Sequence, residues 1–239
     1  MTANPAPKRR TDQADLLHWI GRLGAVTAPA LAEHDGCSEA SARGRLQAAV
    51  GVGLLARARP LRDGPSLFTA TRAGMARAGY AGAEPTRVSA ASARHQIVCA
   101  EVAVALERRY PRHIVSGERE LQRDERELGG RLASARMSWR SRWGDSHRPD
   151  LVVWPVVGGG APVAVEVELT PKAPARLLEI CHAWARCRHV AGVLYVASPA
   201  AFAPVARAIA AAGADGRIAL LALEALEAPG PASPVTGTP

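Results

Sequence analysis

Four short apolar runs in the second half of the chain restrict the fold more than any other feature. Residues 151–157 and 163–169 are rich in β-branched residues and flank a glycine-rich segment, which predicts an antiparallel hairpin. Residues 192–197 and 218–223 are apolar throughout, as strands buried on both faces are. Together with the helical segments between them they predict the order α-β-β-β-α-β-α-β, a mixed sheet covered by helices.

The remaining elements of this half are less regular. A long helix is predicted over residues 89–109 and a strand over 113–121, whereas residues 122–148 are polar, rich in arginine and without periodicity. After the hairpin, a helix over 174–188 is expected to be capped by the Thr170-Pro171 pair. A further helix is predicted over 201–212.

The first eighty residues show a different pattern, in which short amphipathic helices precede a hairpin. Helical spacing predicts three helices over residues 12–52, with Thr11 and Ser38 as the N-cap residues of the first and the third. Strands over 54–59 and 67–70 follow, and then a short helix that Thr71 caps. Three helices, a hairpin and a helix form the layout of a winged helix.

These patterns divide the chain at the Gly- and Pro-rich residues 81–88. The predicted organisation is a flexible tail (1–10), a winged helix-turn-helix (11–80), a linker (81–88), a mixed α/β domain (89–225) and a disordered tail (226–239). No apolar run reaches the roughly 20 residues of a membrane span. The amino terminus has no secretory signal pattern, and the four cysteines form no Cys-x-x-Cys pair. We therefore expect a cytoplasmic protein, without a membrane partner, whose thiols are reduced.

The charge balance indicates a polyanionic partner. Lys and Arg number 30 against 22 Asp and Glu, a net charge of +8, and a basic chain of this kind favours nucleic acid. A bias toward Arg, Ala, Gly and Pro that reflects a GC-rich genome is the alternative cause. The position of the arginines within the predicted elements distinguishes the two.

Within the predicted winged helix, the third helix is the one expected in the major groove of DNA. Its outward residues Glu39, Arg43 and Gln47 can meet base edges, and the side chains of Ser41 and Arg45 can meet phosphate. The predicted wing adds three arginines, Arg57, Arg59 and Arg62. A winged helix used for protein contact or dimerisation is the alternative.

Three acids stand at the predicted hairpin of the second half. Asp150 opens its first strand, while Glu166 and Glu168 are two residues apart on the second strand and so share a face. A register that pairs Asp150 with an even-numbered residue near 168 brings the carboxylates close enough to share a divalent cation. The alternative places both glutamates on the solvated face of an edge hairpin and makes Asp150 a turn residue that begins the strand after Pro149. Against it, the apolar neighbours of the glutamates are typical of a buried strand, and burying like charges together is costly without a counter-ion.

These motifs resemble a known superfamily. HRPDLVVW, a glycine-rich hairpin and VAVEVELTPK on an α-β-β-β-α-β background are similar to the PD-(D/E)XK nucleases, whose signature is an acid after proline and then Glu-x-Lys. With the winged helix upstream, the run VEVELTPKAPARLLEI resembles the replication-relaxation family of actinobacterial plasmids and mobile elements. The resemblance covers most of residues 11–225. It implies an N-terminal winged helix-turn-helix followed by a restriction-endonuclease-like domain.

The same resemblance assigns Asp150 and Glu166 as ligands of Mg²⁺ or Mn²⁺. Glu168 stands where active members have lysine, so the catalytic set is Asp150, Glu166 and Glu168, with Lys172 as a migrated lysine or else an ordinary surface residue. Two functions follow. One is metal-dependent cleavage of double-stranded DNA, and the other is a catalytically inactive nuclease-fold scaffold that regulates replication, transfer or transcription. Homodimerisation and contacts with replication or transfer proteins of a mobile element stay open as further partnerships.

Several further residues have two interpretations. In the segment 131–148, arginines such as Arg140 and Arg142 are interleaved with tryptophans, which suits either phosphate contact with stacking or a surface insertion. Glu101 and Glu118 are candidate additional acids of the site, or surface residues. His95 and His113, like the Glu179/His182 pair, are interpreted as hydrogen-bonded structural residues rather than metal ligands. A third function, a non-DNA assembly protein, requires the arginines to reflect composition alone.

Overall fold

The computed structural model describes residues 12–137, 146–156 and 159–226 of this mixed α/β protein. Its first part contains four helices and a two-stranded antiparallel sheet. They are α1 (Gln13–Leu23), α2 (Ala28–Asp35), α3 (Glu39–Gly51), β1 (Leu55–Ala58), β2 (Leu67–Ala70) and α4 (Arg72–Arg77). The helices form where small and apolar residues recur at helical spacing, and Ser38 and Thr71 cap α3 and α4 as predicted. Asp12, not Thr11, caps α1, because its carboxylate accepts the Asp15 N–H at 2.8 Å.

The second part is a five-stranded sheet with helices on both faces. Its elements are α5 (Ala90–Arg109), β3 (His113–Gly117), α6 (Glu118–Leu128), β4 (Ala135–Arg136), β5 (Ser146–His147), β6 (Leu151–Pro155), β7 (Val163–Glu168), α7 (Pro174–Arg186), β8 (Gly192–Ala197), α8 (Pro199–Ala211) and β9 (Ile218–Ala222). The strand order is β3-β6-β7-β8-β9. The first three strands are antiparallel neighbours, and the β7–β8 and β8–β9 pairs are parallel.

Two predictions about this part were wrong. The strand predicted to residue 121 ends at Gly117, and Glu118 begins α6, a helix missing from the predicted order along with the short β4–β5 pair. The helix escaped prediction because Leu121 and Glu125 are its only buried residues, so it shows no apolar stripe. Helix α7 begins at Pro174 without a side-chain cap, so the Thr170-Pro171 pair does not start it.

Helix α5 connects the cores of the two parts. Its Ala100 and Val104 pack in the cluster formed by α1, α2 and α3, while Val102 and Leu106 pack on the sheet. The Glu107 carboxylate accepts hydrogen bonds from Arg22 and Trp19 of α1. On the opposite face of the sheet, α7 and α8 cover a second core. Across the described ranges, no helix combines the length and the apolar character needed to cross a membrane.

Candidate active site and nucleic-acid interface

The three predicted acids meet at one end of the β6–β7 hairpin. Leu151 pairs with Val165, so the same register continued by one residue sets Asp150 opposite Glu166, with Glu168 one diagonal step further along β7. The two glutamates are each only 4% exposed, which excludes the alternative in which they occupy a solvated edge. The hairpin therefore adopts the register that a shared cation site requires, in which Asp150 stands opposite an even-numbered residue.

Asp150 is held by two different elements. The Val167 N–H donates to its Oδ2 at 2.8 Å, and its Oδ1 lies 2.9 Å from the Nε2 atom of His95 on α5. The hydrogen bond that His95 donates to Asp150 raises the pKa of His95, because it stabilises the imidazolium. The Sγ atom of Cys99, one helical turn further along α5, is 3.4 Å from the same His95 nitrogen.

Glu166 is the most enclosed acid of the cluster. Its Oε1 lies 2.7 Å from Nε2 of His147 and accepts the Trp184 indole N–H at 3.0 Å. Burial raises the pKa of Glu166, and the charge of Asp150 acts in the same direction. Burial alone would lower the pKa of His147, but its contact with Glu166 raises it overall.

Lys172 reaches back into the cluster, as its interpretation as a migrated lysine requires. Its Nζ contacts Oε2 of Glu168, and the lysine side chain remains 39% exposed. Chain reversal after β7 makes the contact possible, since Lys172 lies in the segment between β7 and α7. Of the two further candidate acids, Glu118 donates its main-chain N–H to the Asp150 carbonyl at 3.1 Å. Glu101 is an exposed residue of α5.

Five of the residues that the sequence analysis places on the DNA-contacting surface line one groove in the first part of the chain. A groove of about 240 Å³ separates α3 from the β1–β2 hairpin. Its walls include charged and polar side chains of both elements: Glu39, Arg43, Gln47, Arg57 and Arg59. Ser41 on α3 and Arg62 in the hairpin turn are exposed but do not line this groove.

Arg45 is placed differently from the other arginines. Its guanidinium pairs with Asp35, whose side chain is 2% exposed, so Arg45 joins α3 to α2 within the fold. Arg140 and Arg142 lie outside the described residues, as do the neighbouring tryptophans.

Sequence reasoning missed four partners of the acid cluster: His95, Cys99, His147 and Trp184. His95 is hydrogen-bonded as expected, but its partner is Asp150 and therefore belongs to the site. The i, i+4 spacing of His95 and Cys99 and the position of His147 three residues before Asp150 were the available signals. Trp184 carried none, because only the packing of α7 on the sheet brings it to Glu166.

No family model, curated protein or solved structure matches this chain.

Proposed function

We propose that this chain binds double-stranded DNA through an N-terminal winged helix and hydrolyses a phosphodiester at a divalent-metal site in a PD-(D/E)XK-like domain. One observation carries the proposal: Asp150, Glu166, Glu168 and Lys172 converge at one end of the β6–β7 hairpin. Buried acids of like charge are costly without cations, so their convergence favours a binding role over a purely structural one.

The donor set fits Mg²⁺ or Mn²⁺. Both are hard cations that prefer oxygen ligands. Asp150, immediately before β6, and Glu166 on β7 supply carboxylates. When bound, such an ion activates water and offsets the charge that develops on the phosphate. His95, at Oδ1 of Asp150, is 40% exposed, and the Val167 N–H at Oδ2 keeps the Asp150 carboxylate oriented.

The PD-(D/E)XK motif has a lysine at the position where this chain has Glu168. Lys172 supplies that positive charge instead. Its ammonium group is anchored by Glu168 at the edge of the cluster and faces solvent in part. From this position it can donate a hydrogen bond to a phosphate oxygen, which stabilises the transition state more than the ground state. Glu168 is then the positioning residue that aims the lysine.

The groove between α3 and the β1–β2 hairpin supports the DNA-binding half of the proposal. Arg43 and Gln47 on α3 are the residue types that read guanine and adenine, and Arg57 and Arg59 line the opposite wall. Arginines on the hairpin suit contacts to the phosphate backbone, which supply most of the affinity for DNA.

A nicking assay on supercoiled plasmid tests the hydrolytic proposal. The purified chain with Mg²⁺ or Mn²⁺ should convert supercoiled to open-circular DNA, and Asp150→Asn and Lys172→Ala should each slow the reaction about 100-fold or more. Asp215→Asn changes an exposed carboxylate elsewhere in the chain and should leave the rate unchanged. A wild-type chain that binds DNA but does not nick it with either metal would refute hydrolysis.

A specific observation favours a second candidate, the inactive scaffold that regulates replication, transfer or transcription. Each acid of the cluster already has a basic partner from the chain itself: His95 for Asp150, His147 for Glu166 and Lys172 for Glu168. Such pairing can stabilise a fold without a metal. The scaffold predicts that DNA affinity is independent of Mg²⁺ and survives Asp150→Asn.

A further inference from the structure

A second ligand set lies next to the acid cluster and contains nitrogen and sulfur. His95, Cys99 and Asp150 each offer one atom, and these three atoms lie within 4.8 Å of one another. His95 and Cys99 are one turn apart on the rigid α5, and Asp150 immediately precedes β6. Among the described residues, no other group of three or more His, Cys, Asp or Glu side chains brings its possible ligand atoms this close together.

We propose that His95, Cys99 and Asp150 bind a zinc-class transition-metal ion. The His95 Nε2 atom is 2.9 Å from Asp150 Oδ1 and 3.4 Å from Cys99 Sγ. Zinc bonds of about 2.0 to 2.3 Å in a tetrahedron place ligand atoms roughly 3.3 to 3.7 Å apart. Small rotations of these side chains therefore suffice to surround an ion.

The chemistry of the donors selects the metal. A thiolate and an imidazole favour zinc and its neighbours in the transition series, whereas Mg²⁺ binds almost wholly through oxygen. The Val167 N–H to Asp150 Oδ2 is an outer hydrogen bond of the kind that orients a metal-bound carboxylate.

Three protein ligands leave a fourth position for water or another ligand. The His95 side chain is 40% exposed and that of Asp150 is 23% exposed, so an ion can enter from solvent. Because Asp150 is shared with the proposed hydrolytic site, zinc here would compete with Mg²⁺ for that carboxylate. The zinc site itself does not depend on hydrolysis and is tested without DNA.

Cobalt substitution gives a direct test on the full chain, purified without a histidine tag and treated with a chelator. Co²⁺ should bind at one ion per chain, give tetrahedral visible bands and a thiolate-to-cobalt charge-transfer band, and be displaced by Zn²⁺. The charge-transfer band should vanish in both Cys99→Ser and Cys99→Ala. Zinc affinity should fall at least about 10-fold in these variants and in His95→Ala.

Cys37→Ser is the matched control, since Cys37 is also half-exposed but lies in the first part of the chain. It should keep the band and the affinity, and circular dichroism should show all variants folded. The proposal is overturned if wild-type chain binds no Co²⁺ or Zn²⁺ at micromolar concentrations, or if the band persists without Cys99. Failure of DNA nicking would overturn the proposed hydrolysis and leave this site intact.

Discussion

The α3–hairpin groove and the acid cluster are built in opposite ways. In the groove, Arg43 is 61% exposed and pairs with Glu39 one turn away on the same helix. In the cluster, Glu166 is 5% exposed at its side chain and is contacted by His147 and by Trp184, which come from other elements. The groove is thus a property of local surface, whereas the cluster is a product of tertiary packing.

In the first part, the residues proposed to bind DNA contribute little to stability. In the second part, the residues of the acid cluster also stabilise the fold. An exposed ion pair within one helix contributes little to folding, so the groove residues can change without cost to the fold. A buried carboxylate whose partners come from elsewhere leaves those partners unsatisfied when it is removed. Variants in the second part therefore need a stability measurement beside any functional assay.

The largest effect is expected at Glu125, a buried acid of α6 that has no proposed chemical role. Its Oε1 accepts the N–H groups of Leu132, Ala133 and Ser134, and its Oε2 accepts the Ser134 hydroxyl. Glu125→Ala leaves these donors without an acceptor and should lower the free energy of unfolding by about 3 to 5 kcal/mol. Urea denaturation measures it.

Glu127→Ala provides the control on the same helix. The Glu127 side chain is 68% exposed and makes one surface ion pair with Arg123, so its removal should change stability by less than about 0.5 kcal/mol. Equal losses at the two positions would contradict the view that burial decides the cost in this part of the chain.

The two regions should also differ in the reactivity of their cysteine thiols. Burial, with a smaller contribution from the charge of Glu166, raises the pKa of Cys181 to about 11. Because the reactive species is the thiolate, Cys181 stays a neutral thiol until the pH approaches that value, and its reactivity at pH 8 should be roughly 100-fold below that of an ordinary thiol. Cys37, half-exposed in the first part, should react first.

Alkylation with iodoacetamide and peptide mass spectrometry measure the order of modification. In denaturant both cysteines should react at similar rates, which shows that the native structure causes the difference. If native Cys181 is alkylated at pH 8 as fast as Cys37, the interior beside Glu166 is more open than its packing implies.

The same contrast explains what could be predicted from the sequence. That Glu166 and Glu168 share a face followed from alternation, because residues two apart on a strand point the same way, whereas the register and the burial of the two glutamates were open alternatives that the structure decides. The residues that line the α3–hairpin groove followed from residue type and helical spacing. Both signals are local and therefore visible in one sequence.

The partners of the acids could not be predicted, because each depends on how distant elements pack. His95 is 55 positions from Asp150 and meets it only when α5 lies across the sheet. Helix α6 was missed since its buried surface is limited to Leu121 and the polar Glu125, which periodicity of apolar residues does not detect. Arg45 has the residue type and the helical position expected of a phosphate contact, yet its guanidinium pairs with Asp35 instead.

In the first part, changes to the groove residues should affect DNA affinity and leave stability almost unchanged. On a duplex selected from a random pool, Arg43→Ala combined with Gln47→Ala should weaken binding by about 1 to 3 kcal/mol, which is 5- to 150-fold in Kd. The unfolding free energy should change by less than about 0.5 kcal/mol, because Arg43 is largely exposed.

Arg72→Ala serves as the control for charge. It also removes one positive charge, but Arg72 is 79% exposed on α4 and pairs with Glu84. Fluorescence anisotropy at fixed salt compares the variants. Equal weakening by the two changes would mean that net charge, not the groove, determines affinity, and would remove the assignment of α3 as the reading helix.

Two glycines of the first part, one inside its core and one on its surface, should respond to alanine with opposite signs. A Cβ at Gly74 of α4 would stand 2.0 Å from the Leu54 carbonyl oxygen, whereas a Cβ at Gly44 of α3 meets nothing within 4 Å. Gly74→Ala must push α4 away from the start of β1 and should destabilise the fold by about 1 to 3 kcal/mol. Gly44→Ala replaces a flexible helical residue and should stabilise it by about 0.5 to 1 kcal/mol. Thermal unfolding distinguishes these opposite signs; a stabilising Gly74→Ala would show that α4 does not pack closely on β1, and the hairpin wall of the groove would lose its support.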